Sequence, residues 1–170
     1  MSVQETTLEI RLDNLEHNVR YLKKYLKEGT RFLAVVKANS YGNNSVAIAQ
    51  YLEKRHLVDY FAVAFTSEGI ELRKAGIVTP ILIFHPQLID FQEILTYQLE
   101  PTLYSKRLIT HFLDFAKENN LQEYPFHLKC NSGMNRLGFS VEEIEEICQL
   151  LKGESSIKVK TAFSHLLASE

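Results

Sequence analysis

The sequence predicts an α/β protein built on a parallel sheet. Three observations carry this reading. Apolar, strand-like runs begin near positions 32, 61, 81, 101, 125 and 159. Between them lie stretches whose apolar residues recur at steps of three and four, the period of a helix with one buried face. The starts are 20 to 34 residues apart, which leaves room for a crossover helix each time, and such alternation favours parallel strands joined by right-handed crossovers.

Residues 1–10 read as a polar lead-in with an edge strand. Asp13 is placed as the cap of a first helix with Leu12, Leu15, Val19, Leu22 and Leu26 on one face, ended by Gly29. Phe32 to Val36 is an unbroken apolar run and reads as a buried strand ending on Lys37. A helix starts near Ser45, with Val46, Ala49 and Leu52 inward. Phe61 to Phe65 is the second strand, followed by a helix that ends at Gly76. Pro80 introduces a third strand, Ile81 to Phe84. A helix around Phe91, Ile94 and Leu95 leads to a short strand at Pro101 to Tyr104. The next helix spans about Ser105 to Asn119. Phe126 to Asn131 is the fifth strand. After the turn SGMNRLGF, Ser140 and Glu143 form a capping box and Phe139 and Ile144 a hydrophobic staple. Gly153 ends that helix, and Val159 to His165 is the sixth strand.

Two architectures satisfy this pattern, an open doubly wound sheet and a (β/α)₈ barrel. The fifth strand adds a clue. His127, Lys129 and Asn131 share one face, while Phe126, Leu128 and Cys130 share the other. A barrel strand has this pattern, with its polar face toward the mouth and its apolar face toward the helices. An edge strand with one wet face would show it too.

Composition narrows the class. Apolar residues make up 45% and charged residues 24%, which is the globular range. A formal net charge of −2 gives no electrostatic case for nucleic acid or an anionic membrane. No apolar run is long enough for a membrane helix, and the N-terminus does not read as a signal peptide. Cys130 and Cys148 form no CxxC motif and read as reduced thiols, which suggests the cytoplasm. The six histidines lack metal-ligand spacing, so no metal is expected.

In parallel α/β folds, ligands gather at the carboxyl ends of the strands. Lys37 closes the first strand, Arg136 lies in the turn after the fifth, and His165 closes the sixth. A lysine at the end of a buried strand can be partly desolvated, and desolvation disfavours the ammonium form and frees the amine to attack carbonyls. The plainer alternative is a lysine that snorkels to water.

The stretch Phe32 to Gly42, FLAVVKANSYG, resembles the cofactor-lysine motif of the alanine racemases, a family of barrel-type pyridoxal-phosphate enzymes. LRKAGIVTPIL, from Leu72 to Leu82, and KCNSGMNRLGF, from Lys129 to Phe139, resemble two further segments of that family. Ser164-His165 resembles its Thr-His pair. The resemblance covers nearly the whole chain, in one order. It implies a TIM-type (β/α)₈ barrel, incomplete here at about six of eight β/α units. Residues 1–170 would be the N-terminal part of a pyridoxal-phosphate-binding barrel domain, without the family's C-terminal β domain.

The resemblance also implies roles. Lys37 would carry pyridoxal 5'-phosphate and act as a base at the substrate. Tyr41 would donate its hydroxyl to the phosphate. Arg136 would reach the phenolic oxygen of the cofactor and the substrate carboxylate. His165 would lie against the pyridine ring. Lys129 matches a lysine that is carbamylated in some members. The implied activity is interconversion of L- and D-alanine, supplying D-alanine for peptidoglycan, in a homodimer whose partner lends a tyrosine as second base. The chain then reads as an N-terminal fragment, inactive alone. Asn43-Asn44, Asn131-Ser132 and Ser164 depart from the usual motif residues, as does Glu170. They leave open a serine or broad-specificity racemase, an amino-acid decarboxylase, or a noncatalytic carrier of the cofactor.

Overall fold

The computed structural model describes residues 6–166. Six strands form one sheet: β1 (Leu33–Val35), β2 (Tyr60–Val63), β3 (Ile81–Ile83), β4 (Glu100–Leu103), β5 (Tyr124–Lys129) and β6 (Ile157–Phe163). Every neighbouring pair is parallel, and the spatial order is β1-β2-β3-β4-β5-β6. This order decides between the two architectures. A doubly wound sheet reverses its strand order at a switch point, whereas a barrel adds each strand beside the last. The chain is therefore six consecutive units of a barrel. Among the described residues, β1 and β6 each have one neighbour.

Between the strands run α3 (Ser45–Lys54), α4 (Thr66–Lys74), α5 (Phe91–Thr96), α6 (Lys106–Glu118) and α7 (Val141–Leu150), with α1 (Leu12–Lys23) ahead of β1. The short element after β1, α2 (Lys37–Gly42), is a left-handed turn. The main core lies between sheet and helices. Phe61, Val63, Ile81, Ile83, Leu103 and Phe126 meet the inner faces of the helices there, each fully buried. Gly69 lets α4 sit close to the sheet, since a Cβ there would come within 2.9 Å of Ile83 and 3.1 Å of Leu99. The alternate residues of the strands face the other way, into the barrel interior.

Most elements lie within two residues of their expected positions. Ser105 and Ser140 cap α6 and α7, and the Ser140–Glu143 capping box is present. β5 lies between β4 and β6, so its polar face is interior and the edge-strand alternative fails.

Several expectations need correction. Asp13 does not cap α1; it sits in the first turn, paired with Arg11 at 3.0 Å. That helix stops at Lys23, well before Gly29, so Leu26 lies outside it; Leu22 and Leu26 stay exposed. Residues 6–10 form no strand, and 1–5 lie outside the described residues. Phe65 is not in a strand but precedes α4, half-exposed. The first strand is only three residues long, and Leu33 and Val35 are 37% and 39% exposed. An apolar run does not guarantee burial, because burial depends on what covers the face.

Candidate active site

A single turn follows β1. Ala38, Asn39, Ser40 and Tyr41 all have φ between 50° and 57° and ψ between 38° and 48°. None is glycine, and each such residue costs about 1–2 kcal/mol relative to the right-handed form. Strain of this kind persists where the surroundings over-determine it, typically at functional sites. Ser40 N–H bonds Val36 O at 3.0 Å, and Asn39 Oδ1 accepts from Ser45 N–H at 2.9 Å. The turn places Lys37 at one end and Tyr41 at the other, both against one pocket.

The β5–α7 loop supplies the opposite wall. Asn131 Oδ1 accepts from the Gly133 and Asn135 N–H groups at 3.1 and 3.0 Å, and its Nδ2 donates to Asn135 Oδ1. Gly138 returns the chain to the sheet with φ 115°; a Cβ there would meet the Cys130 carbonyl carbon at 2.7 Å. Arg136 is carried between these two anchors. Beyond β6, Ser164 Oγ donates to Cys130 O at 2.9 Å and is hydrogen-bonded to Ser132, which ties the His165 segment to this loop.

All five sequence-selected residues line the same pocket at the carboxyl ends of the strands: Lys37, Tyr41, Lys129, Arg136 and His165. Sequence reasoning missed Phe84, His85, Thr102, Tyr104 and Phe163, which line it as well. Strand alternation carried the signal for two of them, because Thr102 and Tyr104 lie on the inward face of β4 and its continuation. The pocket is about 800 Å³ with its open mouth, and among the described residues no carboxylate lines it.

The field is therefore basic. Burial pushes the Lys129 ammonium below its ordinary value; the Cys130 thiol opposes this and the Arg136 charge adds to it. Its Nζ donates to Cys130 O at 3.4 Å and lies 5.1 Å from the Phe163 ring centroid. Burial also lowers His85, helped by the charges of Lys37 and Arg136. Burial raises Tyr104. Thr102 is 1% exposed and its hydroxyl has no hydrogen-bond partner among the described residues.

Such a pocket suits a flat aromatic anion with a carbonyl. Lys37 and Lys129 offer amines, Arg136 offers positive charge, Phe84 and Phe163 offer ring surfaces, and Thr102 offers an unused hydroxyl. These residue types fit pyridoxal phosphate in their chemistry. No group of three or more His, Cys, Asp or Glu residues suited to a metal ion occurs among the described residues. None of the described helices is long and apolar enough to cross a membrane.

Fold and pocket together define a barrel-type α/β protein with a basic, aromatic ligand site at the carboxyl ends of its strands. Residues 10–170 match the family model for the alanine racemase N-terminal domain, and the chain belongs to the alanine racemase family. An alanine racemase of Treponema denticola is 34% identical over 99% of this chain and 44% of its own length. An amino-acid racemase of Enterococcus faecalis is 39% identical over 96% of this chain and 22% of its own. The structure of an alanine racemase from Clostridium difficile 630 in complex with cycloserine matches with a TM-score of 0.84 at 37% identity. That match covers 92% of this chain and 43% of the other. The chain thus spans less than half the length of these relatives.

Proposed function

We propose that this chain forms the cofactor-holding part of a pyridoxal-phosphate-dependent racemase that interconverts L- and D-alanine. The observation that carries the reading is the meeting of Lys37, Tyr41, Arg136, Lys129 and His165 in one pocket at the carboxyl ends of the strands. Bound there, pyridoxal phosphate supplies an electron-withdrawing ring that acidifies the substrate Cα–H.

The chain's own residues do the rest. Lys37 would be the attachment point, and its amine, freed when the substrate amine takes its place, would remove or return the Cα proton from one face. Tyr41 donates its hydroxyl to the phosphate. Arg136 holds the substrate carboxylate and the phenolic oxygen with its forked donors. His165 gives an aromatic surface to the cofactor. Lys129 is the group assigned to carbamylation, since burial favours the neutral amine that carbon dioxide requires. A carbamate there would face Arg136 and orient it. A second acid–base group on the opposite face completes inversion. Homodimeric assembly, a cytoplasmic location and supply of D-alanine to peptidoglycan belong to the same reading.

The test is incubation with pyridoxal phosphate, borohydride reduction and peptide mapping. Label on Lys37 is expected; label confined to Lys129 would overturn the assignment. A broader substrate range is the second reading, prompted by the similarity to an amino-acid racemase. Comparing turnover of alanine with that of serine and lysine in the protein carrying this domain separates the two.

A further inference from the structure

The left-handed turn α2 is held from a different β/α unit. Glu68 Oε1 accepts from Ala38 N–H, directly after Lys37, at 2.7 Å. Glu68 Oε2 accepts from Ala64 N–H at 2.7 Å and from Phe65 N–H at 3.2 Å. Glu68 itself lies in the first turn of α4. One carboxylate therefore joins the residue after Lys37 to the carboxyl end of β2. Hydrogen bonds from backbone N–H groups to a carboxylate are short and strong.

A helix cap alone does not need this arrangement. In α7, the Glu143 carboxylate closes an equivalent box on Ser140 N–H at 2.8 Å. Glu68 does the same for α4 with one oxygen and spends the other on the strained turn.

We propose that Glu68 is the positioning residue for Lys37 and Tyr41. Its carboxylate fixes the turn at Ala38 and thereby aims the amine and the phenol into the pocket. The chemical consequence rests on the reading of Lys37 as the cofactor lysine; the geometric claim does not.

Glu68→Gln tests this, because an amide has one acceptor oxygen and turns N–H donors toward the other site. Glu143→Gln is the control for loss of a helix cap. Three quantities are measured on the whole chain: the thermal midpoint, the exchange rate of the Ala38 amide, and the rate of Lys37 labelling by pyridoxal phosphate and borohydride. Both variants are expected to melt lower. Only Glu68→Gln should speed Ala38 exchange, by about tenfold or more, and slow Lys37 labelling by about tenfold or more. Unchanged exchange at Ala38, or equal effects in the two variants, would overturn the proposal. Failure of the unaltered protein to label at Lys37 would overturn the cofactor assignment instead, and Ala38 exchange would still decide the clamp. Should Glu68→Gln not fold, Glu68→Asp, whose oxygens are drawn back by one methylene, is read by the same criteria.

Discussion

His127 Nε2 lies 2.8 Å from a Glu100 carboxylate oxygen, inside the barrel and two residues before Lys129. Tyr60 donates its hydroxyl to the same oxygen at 3.1 Å, and His127 Nδ1 is 2.7 Å from Thr161 Oγ1. Four strands, β2, β4, β5 and β6, are thus tied through one polar cluster. The tie falls where β5 and β6 shift register, between Phe126 and His127. It sets the pairing that continues to Lys129 with Phe163, and so the approach of β6 to the pocket.

Glu100→Ala leaves Tyr60 and His127 without their shared acceptor. The expected loss is about 2–4 kcal/mol, from two buried groups with unmade bonds. Urea denaturation measures it, and Glu100→Gln, which keeps an acceptor, should lose less. A change within ordinary surface variation would show that the cluster does not stabilise the barrel.

The same cluster predicts an alkaline response. Burial first, then the Glu100 charge and hydrogen bond, push the Tyr60 phenol up to about 12. The unfolded chain releases this proton near the ordinary value of 10, before the folded one does. Stability should therefore fall as pH rises from about 10 to about 12. Tyr60→Phe should flatten that slope in pH-dependent unfolding; an unchanged slope would count against it.

Phe112→Ala should be among the most costly core substitutions. Its ring packs edge-on against Phe91 at 5.0 Å and Tyr124 at 6.0 Å, and it is 1% exposed. Truncation of such a residue costs about 3–5 kcal/mol. Thermal or urea unfolding reads the loss directly, and a cost near that of a surface substitution would contradict the packing described.

Arg136→Ala should behave in the opposite way. Arg136 is exposed on a loop whose shape comes from Asn131 and Gly138. Folding should change little, while affinity for pyridoxal phosphate or turnover in the protein carrying this domain should weaken. Loss of one charged hydrogen bond corresponds to about 1.5–3 kcal/mol. Altered stability with unchanged binding and turnover would remove Arg136 from the site.

The sequence by itself determined the alternation of strands and helices, the helix start near Ser105, the capping box at Ser140, and the two faces of β5. Those signals are local: periodicity and capping depend on residues a few positions apart. It also singled out Lys37, Tyr41, Lys129, Arg136 and His165, through strand-end position and motif resemblance. Tertiary structure alone decided the rest. Strand order bore out the barrel that the motif resemblance implied and that strand–helix alternation left open beside the doubly wound sheet, because neighbouring strands lie 20 or more residues apart in the chain. Exposure of Leu33 and Val35 depends on what packs over β1, which their own apolar character does not reveal. The left-handed turn after Lys37 reads as ordinary residues in sequence. Its conformation is set by groups such as the carboxylate of Glu68, thirty residues away from Ala38 and brought there only by the fold.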